Sequence, residues 1–239
     1  MNLNSGTFRI VYEGALYALG KFLFLYLTIP LLLLWLFIGY FFNLNEDVIA
    51  AISGPTYFFI PLFAINGFST IFPVAIGMGS TRINLLKTFY AVGLTSVLII
   101  TFILNVLQWI LLTIYERWNV AAQILHPATF FNQEYTFLSY YLIDLMVGIF
   151  SFSFAFLFFT INYRLGFKKS MIWLMVVVSI CTLLNYSGLI DFSIWEWLVT
   201  QDFHDMVIFS VVITISLIAL FITYPIMRNA PLIAKVKKD

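Results

Sequence analysis

A few polar side chains interrupt the long apolar stretches of this 239-residue chain. They are Asn66, Asn105, Gln108, Asp144 and Asn185. If those stretches cross a membrane, an amide or carboxylate inside them is a functional candidate, because burying it without a partner is costly. Two roles are open to the set as a whole: hydrogen bonding between neighbouring helices, or lining the path of a transported molecule.

Asp144 is the only carboxylate inside a predicted span, about one helical turn from its outer end. Because Tyr140 and Tyr141 lie close by, we expect an interfacial carboxylate that water can reach. Asn105 and Gln108 are three residues apart, so they share one face of a helix. That face is expected either to bond to another helix or to line a path.

Residues that could catalyse a reaction form no recognisable motif. His126 and His204 fall in predicted external loops without metal-ligand spacing. The stretch Gly14–Lys21 approaches a phosphate-binding loop, but its outer glycines are six residues apart, and Phe22 replaces the magnesium-binding Ser or Thr. The single cysteine, Cys181, is expected to be a small buried hydrophobe. We therefore predict no enzyme, no metal and no cofactor in this chain.

The composition identifies the class of protein that holds these residues. Hydrophobic residues make up 62% and charged residues only 10%, against about 25% charged in soluble domains. Several apolar runs approach the ~20 residues that cross a bilayer as a helix. The sequence predicts an all-α integral membrane protein, with no soluble domain and no nucleic-acid partner.

Hydropathy predicts three parts of the chain. Residues 1–21 have apolar side chains on one helical face and are expected to form a cytoplasmic helix lying in the membrane interface. Residues 22–227 form the membrane domain, and residues 228–239 form a basic tail. The six predicted spans are Phe22–Phe42, Tyr57–Gly77, Phe89–Tyr115, Tyr140–Asn162, Met171–Leu189 and Met206–Met227.

Basic residues predict the orientation. In this arrangement 11 of the 12 lysines and arginines fall on one side, and only Arg117 falls on the other. Positive residues favour the cytoplasmic side, and an even number of spans places both termini together. We expect a multi-pass protein of the plasma membrane with both termini in the cytoplasm.

The link between the second and third spans has an unusual composition. Gly77 and Gly79 can end a helix, and Ser80 or Thr81 can cap the next one. Polar Asn84 and Lys87 then occur among apolar Ile83, Leu85 and Leu86. We expect a short amphipathic helix lying across the cytoplasmic base of the bundle.

With six spans, an amphipathic helix before the first, and "GMGSTRINLLKTF" after the second, the chain resembles a permease subunit of the ABC type-2 exporters. The resemblance implies that this stretch is a coupling helix, which docks on an ATP-binding subunit. Its residues here would be Gly79, Ser80, Thr81, Arg82, Ile83, Leu85, Leu86 and Lys87.

The same resemblance implies short half-inserted helices before the last span. Asp191–Phe203 fits, with Trp195 and Trp197 suited to the membrane interface. The external loop of residues 116–139 departs from the pattern, since it is longer than the usual tight connection.

By this resemblance, the chain forms the membrane path of an ATP-driven exporter for hydrophobic or amphipathic cargo such as a peptide, a drug or a lipid-like molecule. Separate ABC ATP-binding subunits would bind ATP and magnesium, and a second permease chain, identical or different, would complete the path in the lipid bilayer.

Other functions stay open. An ATPase-independent channel or secondary transporter would need paired intramembrane charges or broken helices, which the sequence does not display. A membrane enzyme lacks catalytic clusters. A membrane immunity or sensor protein that sequesters a peptide is a further alternative.

We predict that single cysteines placed at Asn84 and Asn132, in a chain whose Cys181 is replaced, label differently in intact cells. An impermeant thiol reagent should modify position 132 and leave position 84 unmodified, because basic turns are retained in the cytoplasm. The opposite pattern would invert the topology.

Overall fold

A computed structural model describes residues 3–42, 44, 48–127, 135–188, 205–228 and 230. Nearly all of these residues are helical. The helices are α1 (Leu3–Ala15), π1 (Leu16–Thr28), α2 (Ile29–Phe42), α3 (Gly54–Asn66), π2 (Gly67–Ile71), α4 (Phe72–Gly77), α5 (Arg82–Trp118), α6 (Phe137–Leu165), α7 (Phe167–Tyr186) and α8 (Asp205–Arg228). Two short strands are present, β1 (Ile49–Ala50) and β2 (Gln123–Ile124).

Within this described part, six helical stretches are long and apolar enough to cross a membrane. They are Gly6–Phe42, Gly54–Gly77, Arg82–Trp118, Phe137–Leu165, Phe167–Tyr186 and Val207–Arg228, called spans 1 to 6 below. The predicted all-α fold with six helices long and apolar enough to cross a membrane is confirmed, although the first and third helices are longer than the predicted spans. The turns bearing Arg82 and Arg164, with the end of α8 at Arg228, mark one end of the bundle, called the basic end.

The predicted boundary at residue 21 is absent from the structure. Helix α1 continues through π1 into α2 without a break. In π1 the hydrogen bonds reach five residues back, as from the Ile29 N–H to the Phe24 carbonyl. This wide turn keeps side chains four or five apart on one face. That buried face comprises Val11, Ala15, Leu19, Leu23 and Thr28.

The predicted apolar face of residues 1–21 is therefore divided. Val11, Ala15 and Leu19 are packed inside the bundle, whereas Phe8 and Tyr12 are exposed. The N-terminal helix is part of the packed core rather than a separate element, and its location in the membrane interface remains a prediction.

Stacked phenylalanines join spans 2, 3 and 4. The ring of Phe89 lies 5.1 Å from that of Phe63 and 4.9 Å from that of Phe156, and each pair is stacked. Glycines make room for the rings: a Cβ on Gly67 would be 2.5 Å from Phe89, and one on Gly93 would be 2.3 Å from Phe152. Because no side chain fits at these distances, the two glycines determine how closely the three helices approach.

The turn between spans 2 and 3 has the predicted helix-ending and capping residues. Gly79 has a φ of 90°, and its N–H donates to the Ile76 carbonyl, while the Ser80 N–H donates to the Ala75 carbonyl. These paired bonds form a Schellman motif. Thr81 then caps α5, since its hydroxyl accepts from the Asn84 N–H at 3.2 Å.

No separate coupling helix follows this turn. The predicted short helix at Ile83–Lys87 is the start of α5, which runs without interruption from Arg82 to Trp118. Leu85 and Leu86 are each only 2% exposed and belong to the main hydrophobic core. The prediction of a helix lying outside the bundle is wrong, because these two leucines pack inward.

At the opposite end, two loops fold over the bundle. We call residues 48–53 and 119–127 the loop cap. Within it β1 and β2 pair in parallel, with Ile49 opposite Gln123 and Ala50 opposite Ile124. The side chains of Ala50 and Ile124 are buried. In the long loop that the sequence predicted at residues 116–139, residues 119–127 thus pack against residues 48–53.

Span 5 contrasts with the others. Ser170 is its one buried residue, and its hydroxyl donates to the Asn162 side chain of α6. The apolar side chains farther along α7 are exposed in the isolated chain. Span 6 packs more closely, since Tyr90 on α5 hydrogen-bonds with Thr223 on α8.

We expect Gly93→Ala to destabilise the chain by about 1–3 kcal/mol, the usual cost of overpacking a core, since the new methyl group collides with Phe152. Gly77→Ala is the matched control, because nothing lies within 4 Å of its Cβ position. Thermal unfolding in detergent measures both. Equal melting temperatures would contradict the close packing at Gly93.

Candidate functional site

A buried carboxylate organises the polar residues near the loop cap. Asp144 lies about two turns into α6, and its side chain is 0% exposed. It is therefore not the water-accessible interfacial carboxylate that the sequence predicted. The reason is the loop cap, whose His126 covers Asp144 near the N-terminal end of α6.

Three side chains from three different elements contact the Asp144 carboxylate. The Tyr57 hydroxyl of α3 donates to Oδ1. Nδ2 of Asn105, on α5, donates to Oδ2 over 2.8 Å. Nε2 of His126, from the loop cap, lies 2.6 Å from Oδ1. One side chain of α6 thus ties together two spans and a loop.

His126 is buried and lies between the carboxylate and an aromatic ring. Its imidazole stacks on Tyr140 with ring centres 4.1 Å apart, and Tyr135 meets the edge of Tyr140 at 4.5 Å. Burial, followed by Tyr140 and Asp144, raises the pKa of Tyr135 to about 12. The Tyr135 phenol, which lies just before span 4, therefore stays neutral at physiological pH.

The contact between His126 and Asp144 requires a proton between the two atoms. Either Nε2–H of the imidazole donates to the carboxylate, or a protonated carboxyl donates to a bare Nε2. Both arrangements satisfy the buried nitrogen and the buried oxygen together.

The surroundings retain unused hydrogen-bonding capacity. Among the described residues, no partner is found for Oδ1 of Asn105, for the hydroxyl of Thr56, or for either polar atom of Gln108. All three side chains are 0% exposed. Buried polar atoms are normally satisfied, so these atoms indicate a place where water or a polar ligand group is accommodated.

The structure separates the five polar residues that the sequence proposed for a path. Asn105 and Asp144 are joined directly, and Gln108 is buried one turn away from Asn105 on α5. Asn66 and Asn185 lie on the surface of the chain instead. The polar site is thus confined to the half of the bundle near the loop cap.

The predicted coupling residues also divide into two groups. Leu85 and Leu86 are core residues, whereas Gly79, Thr81 and Lys87 are exposed. Ser80, Arg82 and Ile83 are half-buried, and the Ser80 hydroxyl accepts from Thr7 of α1 at 2.8 Å. Trp195 and Trp197, predicted at the interface, lie outside the described residues.

Tyr57 and His126 were missed as site residues. His126 lacked any spacing typical of a ligand, and Tyr57 was the first residue of a predicted span. The available signal was the alternation of apolar Val120, Ala122 and Ile124 before His126, which indicates a packed loop. In the part of the chain that the structure describes, no three His, Cys, Asp or Glu side chains group as metal ligands.

Comparison with known proteins finds no family that matches this sequence, and no curated protein or solved structure that matches it. The resemblance to ABC type-2 permeases therefore remains a prediction from the residues themselves.

We expect Asp144→Ala to lower the free energy of unfolding by about 3–5 kcal/mol. Removing the carboxylate leaves the buried polar groups of Tyr57, Asn105 and His126 without their acceptor. Glu116→Ala, which removes an exposed carboxylate near the same end, should change stability by less than about 0.5 kcal/mol. Thermal unfolding of both variants in the same detergent measures the difference, and similar values would show that the Asp144 contacts contribute little.

Proposed function

We propose that this chain is the membrane-spanning permease subunit of an ATP-driven exporter. It supplies the path for a hydrophobic or amphipathic cargo, and separate ATP-binding-cassette chains supply the energy. The observation that carries the proposal is the rigid turn between spans 2 and 3, at the basic end of a six-span bundle.

The length of α5 supports a projecting turn. Its 37 residues cover roughly 55 Å as a helix, whereas the hydrocarbon core is about 30 Å thick. A helix of this length extends beyond the apolar layer. The Schellman motif and the Thr81 cap fix the backbone of the turn, so a partner would meet a preformed surface.

The residues open to such a partner are fewer than the sequence predicted. Met78 is 64% exposed, and Gly79, Thr81 and Lys87 are also exposed. Leu85 and Leu86 cannot fill a partner's groove while they fill this chain's own core. The docking surface proposed here is therefore the tip of the turn, with Met78 as its apolar anchor and Lys87 at its rim.

The proposal includes a second permease chain. Span 5 leaves most of its apolar surface uncovered in one chain, which suits contact with lipid or with another membrane subunit. Both termini are expected in the cytoplasm, with the basic end facing the ATPase.

The test co-expresses this chain with an ATP-binding-cassette chain from a neighbouring reading frame. We expect the double variant Met78→Ala, Lys87→Glu to capture less of that chain, because an apolar anchor is lost and a rim charge is reversed. Its thermal stability should match that of the unsubstituted chain. Leu86→Ala is the contrasting variant, since truncating a core leucine costs about 2–5 kcal/mol of folding free energy.

Unchanged capture by the double variant would remove the turn from the interface. Capture of no such chain, together with transport by the purified subunit under an imposed pH gradient without ATP, would favour a secondary transporter instead. The buried His126–Asp144 pair supports that second candidate function, because ion-coupled carriers use buried ionisable groups as proton relays.

A further inference from the structure

We propose that the Asp144 site binds the cationic group of an amphipathic molecule, an ammonium or guanidinium. In the present structure the imidazole of His126 occupies the position of that group beside the carboxylate. The inference specifies the cargo class of the proposed transport function and rests on it. Binding itself needs only this chain.

The first support is the charge of the site. Asp144 is the single carboxylate among the described residues of spans 2 to 6 that lies away from the helix ends, and it is fully buried. Beside it, Oδ1 of Asn105 is a buried acceptor for which the described residues offer no partner. A cation with N–H donors would meet a carboxylate and an amide oxygen together. An anion would be repelled at short range by the same carboxylate.

The second support is the aromatic wall. The imidazole of His126 stacks on the face of Tyr140 while its Nε2 contacts the carboxylate. An aromatic face on one side and an anion on the other form the environment in which proteins hold organic cations. The imidazole of His126 has the planarity and the N–H donor of such a cation.

The third support is the attachment of His126. It follows β2 in an irregular segment instead of lying on a spanning helix. Backbone bonds from Gln123 to Val48 and from Leu125 to Ala50, with the Ser53 hydroxyl on the Leu125 carbonyl, hold this segment to the rest of the loop cap. His126 is thus attached through the loop cap and not through a spanning helix.

Gln108, one turn from Asn105 on α5, and Thr56, next to Tyr57 on α3, have further unused polar atoms. Both side chains are fully buried, and each offers an oxygen acceptor without a partner among the described residues. An ammonium makes three hydrogen bonds and a guanidinium up to five. The two helices that contact Asp144 therefore carry buried acceptors that the imidazole does not use.

The test measures binding of dodecylguanidinium to the purified chain in lipid nanodiscs, with dodecanol as the neutral probe of equal tail length. Titration calorimetry compares the unsubstituted chain with Asp144→Asn, His126→Gln and Glu116→Gln. The last variant removes an exposed carboxylate near the same end and corrects for surface attraction.

We expect Asp144→Asn to weaken guanidinium binding by about tenfold or more, because the lost hydrogen bond is to a charged acceptor. His126→Gln should strengthen it several-fold, since the ring that stacks on Tyr140 and contacts Asp144 is gone. Glu116→Gln should leave it unchanged, and dodecanol should bind all four chains alike.

If His126→Gln folds and binds the guanidinium no better than the unsubstituted chain, His126 does not occupy the position of a bound cation. The proposal is then wrong, and the role of His126 is to hold the loop cap against α6. This variant decides the question even if Asp144→Asn fails to fold. The outcome is independent of ATPase capture: a chain that captures no ATPase but shows the expected affinity order retains the cation site and loses only the ATP-driven function.

Discussion

The loop-cap half of this protein depends on satisfying one buried carboxylate. A charged oxygen pair deep in an apolar bundle is stable only if donors surround it, and Asp144 receives them from α3, α5 and the loop cap. Each donor comes from an element that is distant in sequence. The positions of two spans and one loop relative to α6 are thus linked through a single side chain.

The other half depends on shape rather than charge. Around Phe63, Phe89, Phe152 and Phe156 the helices are held by stacked rings. Aromatic pairs contribute beyond simple burial but have limited directional preference. The glycines opposite these rings fix the geometry more strictly, because they allow close approach at defined positions only. Specificity therefore comes from hydrogen bonds at the capped end and from steric fit toward the basic end.

Hydropathy and glycine chemistry were sufficient to predict part of this structure. Apolar run length predicted six spans, and Gly79 with Thr81 predicted the end of one helix and the cap of the next. These features depend on residues close in sequence. Whether Leu85 and Leu86 are buried in this chain or on a partner depends on the elements that pack against them. An amphipathic pattern cannot distinguish the core of its own chain from a partner's groove.

The site was harder to predict for the same reason. Asn105 and Asp144 were recognised because polar residues are rare inside apolar stretches, but their contact joins two helices whose pairing the sequence does not encode locally. His126 reaches the site from a loop, and Tyr57 reaches it from a helix end. Finding them required the fold of the loop cap, which includes a two-residue strand pair too short to be predicted from propensity.

Span 5 has a consequence for how this sequence can vary. Because α7 buries Ser170 alone, its other side chains are selected by how well they dissolve in lipid or meet another subunit, and not by fit to the chain's own core. Exchanges among Leu, Ile, Val, Phe and Met in α7 keep its transfer free energy nearly constant. Where α7 faces lipid, its sequence can therefore vary more than the α5 and α6 faces around Gly93 and Asp144. Sequence similarity between related proteins would then persist longest in the buried faces of α5 and α6.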